Sequence, residues 1–488
     1  MKEGARAGSL AVLPEGDMAR IRHAALSLLS DPGVWCDSRL ILELFRQGGA
    51  QVDRDSQVIK LSPEIVSWAV GCAPKSFVLC GRNDPAMDIR VEAGRVYYGM
   101  GGTSEPMLFD YDLWRPRQPT KDDMVQCTRL GHALANIDFV QSLCMSGDKA
   151  TSAVLYHDFD AIFRNTTKPT VISILERSFT EHMLEMAAAA SGGEGSLRDH
   201  PSVMGIVTPI SPLKVAAVNE GIVDAVAAGV PILYSPGPMM GATGPATVAG
   251  TIALTIAEVL FGVVLTQLIK PGAPVVLKPD TDVFDMRTMQ CTYGSPEQSL
   301  AKAATAQIAR FYNLPMYGLG GGVEGKVPDA EAASEAMMGM LLNGLAGMTF
   351  SQSLGTLSFG LYGSPEMAVI CNELAYMIKR VLRGITITDD TLAVDVIREV
   401  GHTGNFLQHD HTLSHFREEL FFPDLFRRQT IEQWVQDGGK MIHEVAHERV
   451  SDILAKSVPF APFDGADTAL SQALERAIRF TEDQSARA

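Results

Sequence analysis

From about residue 137 the chain repeats one theme, a short β-branched run followed by a helical stretch with apolar residues three and four apart. A strand with period two cannot sit still as a helix with period 3.6, so this alternation restricts the fold to parallel βα units. The candidate strands are Ile137–Leu143, Thr170–Leu175, Val203–Val207, Ile232–Tyr234, Val275–Lys278, Met289–Tyr293, Met316–Leu319 and Met348–Gln352. Pro169, Pro201, Pro231, Pro274 and Pro315 stand at or just before five of these runs. A proline stops the preceding helix and is tolerated at the first position of a strand. Lys214–Ala228, Pro296–Tyr312, Asp329–Asn343 and Ser364–Leu382 have helical length and spacing, whereas Asp280–Thr288 is too short for a full helix. The pattern favours a closed (β/α)8 TIM barrel of the α/β class, and a doubly wound open sheet remains the alternative.

Around this core the reading gives three regions. Residues 1–136 form an N-terminal α+β capping extension, with helices at Met18–Leu29 and Leu61–Val70 and strands and turns over 76–118. Residues 137–385 form the barrel. Residues 386–488 form a C-terminal loop and helical extension, with helices near Thr430–Ser451 and Asp467–Ala477. The formal net charge of −16 disfavours a phosphate backbone as partner, and no Lys/Arg cluster reverses the sign locally. Seven cysteines without a CxxC pair do not make a disulfide framework and fit a reducing cytoplasm. The N-terminus lacks an apolar leader, and the long apolar stretch Gly250 to Ile269 keeps polar residues at helical intervals, so no membrane span is expected.

In a barrel of this kind the chemistry is built at the carboxyl ends of the strands. The residues there include Ser146 and Asp148, Glu176, Thr208, Ser235 to Pro238, Lys278 with Asp280, Tyr293, Gly320 to Lys326, and Ser351 with Gln352. Gly320, Gly321, Gly322, Glu324 and Lys326 fall in a string that begins like a phosphate-binding loop, but Val327 stands where magnesium coordination needs Ser or Thr. The consecutive glycines instead suit close approach of backbone to a neighbour or ligand at the barrel mouth. Lys278 ends an apolar strand, a position open either to Schiff-base chemistry in a lyase or aldolase or to pairing with Asp280 or Asp282. His409-Asp-His411-x-x-x-His415 places His411 and His415 one helical turn apart, but no third well-spaced ligand is apparent in the sequence, and no metal is assigned. The aromatic residues near strand ends, including Tyr98, Tyr234, Tyr293 and Phe359, are of the type that holds a quaternary ammonium, which has no N–H to donate.

Six strings resemble the trimethylamine methyltransferase family. They are Tyr98-Gly-Met-Gly-Gly-Thr-Ser-Glu-Pro106, Asn165-Thr-Thr-Lys-Pro169, Thr208-Pro-Ile-Ser-Pro-Leu-Lys214, Ser235 through Ala246, Gly294-Ser-Pro-Glu-Gln298 and Leu420 through Phe426. The likeness runs from about residue 18 to 450 and, around Pro236–Ala246, Cys291–Gln298 and Asp395–His411, is strongest to the branch without pyrrolysine that acts on glycine betaine. The resemblance implies a (β/α)8 barrel that moves a methyl group from a quaternary amine to the Co(I) of a corrinoid (cobalamin) carried by a small corrinoid-binding partner protein. The cobalt is then the nucleophile, so no catalytic nucleophile and no directly bound cofactor are expected of this chain. Family members acting on trimethylamine carry pyrrolysine, whose counterpart falls near Gly322–Asp329. This sequence has none, which turns the expected substrate toward glycine betaine, with proline betaine or carnitine as alternatives. A betaine carboxylate requires a cation, for which Lys278, Arg310, His409 and His411 are the candidates. A homo-oligomer is the expected assembly.

Overall fold

The computed structural model describes residues 1–2, 4–6, 8–102, 105–457 and 465–487. Eight parallel strands form its centre: β1 (Arg95–Met100), β2 (Phe139–Val140), β3 (Thr170–Ser173), β4 (Val203–Val207), β5 (Ile232–Tyr234), β6 (Val275–Leu277), β7 (Tyr317–Leu319) and β8 (Phe350–Leu354). Each pairs with the next except across the β6–β7 seam, and β8 returns to β1 with Phe350 opposite Tyr97. The seam between β6 and β7 is held by a single bridge, Leu277 to Met316, and by the Leu277 N–H donating to Pro315 O at 3.0 Å. The barrel is therefore nearly closed.

A helix follows each strand: α1 (Lys121–Ala133), α2 (Val154–Asn165), α3 (Arg177–Ser191), α4 (Ile222–Ala227), α5 (Val248–Ile269), α6 (Pro296–Tyr312), α7 (Ala330–Ala346) and α8 (Pro365–Arg383). Local sequence sets their starts. The Ser295, Asp329 and Ser364 side chains accept backbone N–H groups at the first turns of α6, α7 and α8, and Pro296 and Pro365 occupy the position where a missing N–H costs nothing. Gly347 ends α7 in the left-handed conformation at φ 90°. Among the described residues, α5 is the helix long and apolar enough to cross a membrane. It is instead a core helix, sandwiched between the barrel and the N-terminal helices Glu15–Ser30 and Pro63–Cys72, with 83% of its apolar window buried.

Two strand assignments differ from the sequence reading. Arg95–Met100, placed there in the N-terminal extension, is the first barrel strand, so the barrel begins before residue 137. Met289–Tyr293 is not a barrel strand: Gln290–Thr292 pairs antiparallel with Asp282–Asp285 in a hairpin between β6 and α6. That hairpin fills the connection too short for a helix. A β-branched run looks the same in either setting, and only its partner distinguishes them.

Period-two alternation decides what enters the lumen. Tyr97, Phe139, Val171, Met204 with Ile206, Leu233, Val276, Tyr317 and Phe350 form one inner apolar cluster, with a contribution from every strand. Leu79, Ile89 and Val91 join it from the hairpin Ser76–Leu79/Ile89–Glu92, which caps the amino end of the barrel. Gly99 makes room for this layer, since a side chain there would lie 2.1 Å from the Phe139 ring. Two residues further along the strands stand Gln141, Ser235, Lys278, Leu319 and Gln352. These residues begin the mouth.

Candidate active site

Gly102, Glu105, Lys278, Asp280, Tyr293, Leu319, Gln352, Ser353 and Gly360 surround a cavity of about 110 Å3 at the carboxyl end of the strands. Lys278 and Asp280 are 7% and 6% exposed and form an ion pair, and Lys278 Nζ also donates to Ser235 Oγ at 3.0 Å. The second Asp280 oxygen, Oδ1, is buried without a hydrogen-bond partner, as is Gln352 Oε1. Glu105, 3% exposed, adds a second carboxylate. Below them, Tyr317 donates its hydroxyl hydrogen to Gln141 Oε1, which joins the apolar layer to the polar one.

Behind this pair stand a half-buried carboxylate and a buried lysine, Asp282 and Lys302. Asp282 accepts from Gln298 Nε2 at 2.8 Å, and its carboxyl is pushed up to about 6, chiefly by burial and then by the neighbouring Asp280 charge. Lys302, 2% exposed on α6, donates to Leu319 O at 2.9 Å. Burial pulls its ammonium down to about 8, against the opposing pull of Asp280 and Asp282. Two lysines and three carboxylates thus stand at and just behind the mouth.

Glycine and strained backbone shape the rim. The N–H groups of Gly320 and Gly321 both donate to Gln352 O, at 3.1 and 2.9 Å, so they are not free to cradle a phosphate. A side chain on Gly320 would lie 2.0 Å from Ser351 Oγ, and one on Gly322 would lie 3.2 Å from the Tyr293 ring. Gly360 approaches the same ring, at 3.1 Å for an added Cβ. Glu324 accepts the Tyr293 N–H, and Glu335 in turn accepts the Glu324 N–H at 2.7 Å, which fixes the Tyr293 loop over the cavity. Ser358 and Phe359, at φ 50° and 48°, adopt left-handed backbone just before Gly360, a concentration of strain of the kind found at functional sites. Lys326 is exposed, and its ammonium lies 5.3 Å from the Phe359 ring centroid.

The sequence-predicted residues separate accordingly. Lys278, Tyr293 and the Gly320–Lys326 loop come together at the mouth, with Phe359 beside Lys326 on the rim. Tyr98 and Tyr234 do not, because each follows a lumen residue by one position and therefore points outward. Tyr98 is fully buried near Gly344 of α7, with Lys379 of α8 over its ring at 5.8 Å. Tyr234 lies against Gly262 of α5. Arg310 donates to Leu10 O and Ala346 O and holds the N-terminal segment. His409 caps the helix Asp410–Glu419 by accepting the His411 N–H at 3.1 Å. That helix is tied to the barrel through Arg380 and Arg383, which donate to Glu419 O and Glu418 O at the C-terminal end of α8. In a βα unit that end lies at the amino ends of the strands, opposite the cavity. Among the described residues no hydrogen bond or ion pair links His409 or His411 to the cavity. Thr103 and Ser104 of the Tyr98–Pro106 string lie outside the described residues. Glu105, though inside the Tyr98–Pro106 string, and Gly360 were not singled out as site residues in the sequence: Val96–Gly99 reads as extended there but as part of the cap, so the loop after β1 was not taken for a barrel mouth.

The sequence profile of the trimethylamine methyltransferase (MTTB) family matches residues 4–479. The chain belongs to this family. A trimethylamine methyltransferase MttB of Desulfitobacterium hafniense (strain DSM 10664 / DCB-2) is 35% identical over 451 residues, 92% of this chain and 90% of that protein. A trimethylamine methyltransferase MttB of Methanosarcina barkeri (strain Fusaro / DSM 804) is 31% identical over 456 residues, 92% of this chain and 91% of that protein. A glycine betaine methyltransferase of Desulfitobacterium hafniense (strain Y51) is 30% identical over 451 residues, 92% of this chain and 93% of that protein. The solved monomethylamine methyltransferase (MtmB) of Methanosarcina barkeri superimposes with a TM-score of 0.47 at 12% identity, over 92% of this chain and 95% of that one. The family assignment rests on the sequence relatives, and the barrel rests on the strand pairing.

Proposed function

We propose that this methyltransferase removes a methyl group from a quaternary amine at the mouth cavity and delivers it to the Co(I) corrinoid of a small partner protein. The observation that carries the reading is the cavity lining, in which carboxylates, the unpartnered Asp280 Oδ1 and Gln352 Oε1 and the Tyr293 ring face a space of about 110 Å3. Acceptor oxygens and an aromatic face suit a cation that cannot donate a hydrogen bond. In the reaction the C–N bond breaks with its electron pair staying on nitrogen, and the methyl carbon takes its new pair from cobalt, so Co(I) becomes methyl-Co(III). The leaving group is a neutral tertiary amine. The chain's own residues hold the ammonium, orient one N–CH3 bond outward and exclude water.

Glycine betaine, which would leave dimethylglycine, heads the substrate panel, followed by proline betaine and carnitine. Lys278 is already paired with Asp280 and Ser235, so it does not stand as a free anchor for the betaine carboxylate. A carboxylate-free quaternary amine such as choline therefore belongs in the same panel. The paired ammonium also disfavours a Schiff base on Lys278, and the absence of any borohydride-trapped adduct would remove the lyase alternative. The decisive experiment mixes the purified chain with a reduced corrinoid protein and each amine, and follows the Co(I) to methyl-Co(III) absorbance change. Methyl-cobalt formation with at least one quaternary amine is expected, and none across the panel overturns the proposal.

A further inference from the structure

His411 and His415 stand one helical turn apart on Asp410–Glu419, so their rings share a face, with centroids 4.3 Å apart. The chain brings Asp390 up to that face from a different helix, Asp389–Leu392. Its Oδ2 lies 3.1 Å from His415 Nε2, and its carbonyl oxygen lies 3.0 Å from His411 Nε2. One donor atom from each of the three side chains lies within 4.8 Å of the other two. Spacing along the sequence supplied two histidines and no third ligand. The fold supplies it.

We propose that Asp390, His411 and His415 bind a divalent transition-metal ion of the zinc class, with water completing the coordination. Two imidazole nitrogens and a carboxylate oxygen are the donor set that such borderline ions favour over magnesium or calcium. At bond lengths near 2.0–2.1 Å, two ligands of a tetrahedral ion stand roughly 3.3 Å apart. The His415–Asp390 edge already has about that spacing, and rotation of side chains at a solvent-facing site closes the remainder.

The arm that carries these residues gives an independent reason for a cross-link. The helices Asp389–Leu392, Val394–Val400 and Asp410–Glu419 bury no residue. Leu407 and Leu413 face outward at 83% and 70% exposure, so burial within the chain does not order this segment. The His415–Asp390 ion pair alone is weak, because the Asp390 side chain is 71% exposed and water screens the pair. A metal joining 390 to 411 and 415 would clip the two ends of the arm together, as structural metals do in segments with too little core. The site lies away from the mouth cavity and does not depend on the proposed reaction.

The test is a calorimetric titration of Zn2+ into the full chain after removal of metal with EDTA. One ion per chain is expected at roughly micromolar affinity or tighter. Asp390→Asn, which leaves a weaker neutral oxygen donor, should weaken binding at least about tenfold, and His411→Ala/His415→Ala together, which remove two of three ligands, should abolish it. His402→Ala, in the same arm, should leave binding unchanged. Trypsin cleavage at Arg398 provides a second readout. At free zinc ten times the dissociation constant, cleavage through the opened arm should slow about tenfold in the parent chain and not in the double variant. A parent chain that takes up no zinc overturns the proposal, as does a double variant that binds as many ions as tightly as the parent. These variants lie where nothing is buried, and an unchanged thermal unfolding curve for the barrel separates loss of ligand from loss of fold.

Discussion

Two successive layers of one lumen come from the same strands and differ in almost everything else. The lower layer, with Tyr97, Phe139, Val276, Tyr317 and Phe350, is apolar and aromatic, and Phe139 meets Phe350 edge to face at 5.3 Å. The upper layer, two residues on, places Lys278 above Val276 and Gln352 above Phe350, and leaves Asp280 Oδ1 and Gln352 Oε1 unpartnered. The lower layer returns free energy on folding, whereas the upper layer takes charges out of water with imperfect compensation. A protein retains such a layer where a ligand's charge offsets that cost, and that contrast points to the site independently of any relative.

The largest expected effect is in the lower layer. Phe139→Ala removes a ring that touches Tyr317 and Phe350 and leaves Gly99 facing a void, which should cost about 3–5 kcal/mol in denaturant unfolding. Methyl transfer per folded molecule should change much less than stability. A Phe139→Ala chain of parental stability but without activity would break the division of labour between layers.

Asp280→Asn should behave in the opposite way. Asparagine keeps the shape and an oxygen for Lys278, but removes a buried negative charge beside the cavity. At an effective dielectric near 20, a charge pair about 4 Å apart contributes about 4 kcal/mol before desolvation. A loss of about 10²-fold in kcat/KM per folded molecule, roughly 2.7 kcal/mol, is therefore expected, beyond the stability lost by leaving the buried Lys278 ammonium without its counter-charge. Rates within a fewfold of the parent across the amine panel would show that Asp280 is a structural counterion to Lys278 and no part of cation recognition.

How much of this was legible beforehand follows from what each signal can carry. Seven of the eight barrel strands have their own runs in the sequence, five of them marked by proline, because burial on both faces and a stop before each strand leave local traces. β1 was legible as the extended run Val96–Gly99 but was assigned to the amino-end cap, and Met289–Tyr293 passed for a barrel strand because a hairpin strand has the same composition. Lys278 and Gln352 were legible from strand ends. Tyr98 and Tyr234 were misplaced by one residue of parity, which proximity to a strand end does not reveal. Glu105, Gly360 and Asp390 sit on loops or short helices whose position depends on tertiary contacts, and no local spacing announces them.

The smallest expected effect is a pH dependence, and it tests whether the charged groups behind the mouth titrate away from their ordinary values. Lys302 is pulled down to about 8 from an unfolded value near 10.4, so between those values the unfolded chain binds more protons than the folded one. Stability should therefore rise with pH across that window. Asp282 is pushed up to about 6 from an unfolded value near 3.9, so there the folded chain binds more protons and stability should fall as pH rises from about 4 to 6. Between roughly 6 and 8 both groups are charged in the folded state, and methyl transfer should be greatest there, with a fewfold decline on either side. Lys302→Met tests the alkaline limb. It removes an ammonium whose recorded hydrogen bond is to Leu319 O, so it should be neutral or stabilising near pH 7 and should flatten the rise in stability above pH 8. If the rise persists in Lys302→Met, another group titrates there, and the burial of Lys302 does not carry the alkaline limb.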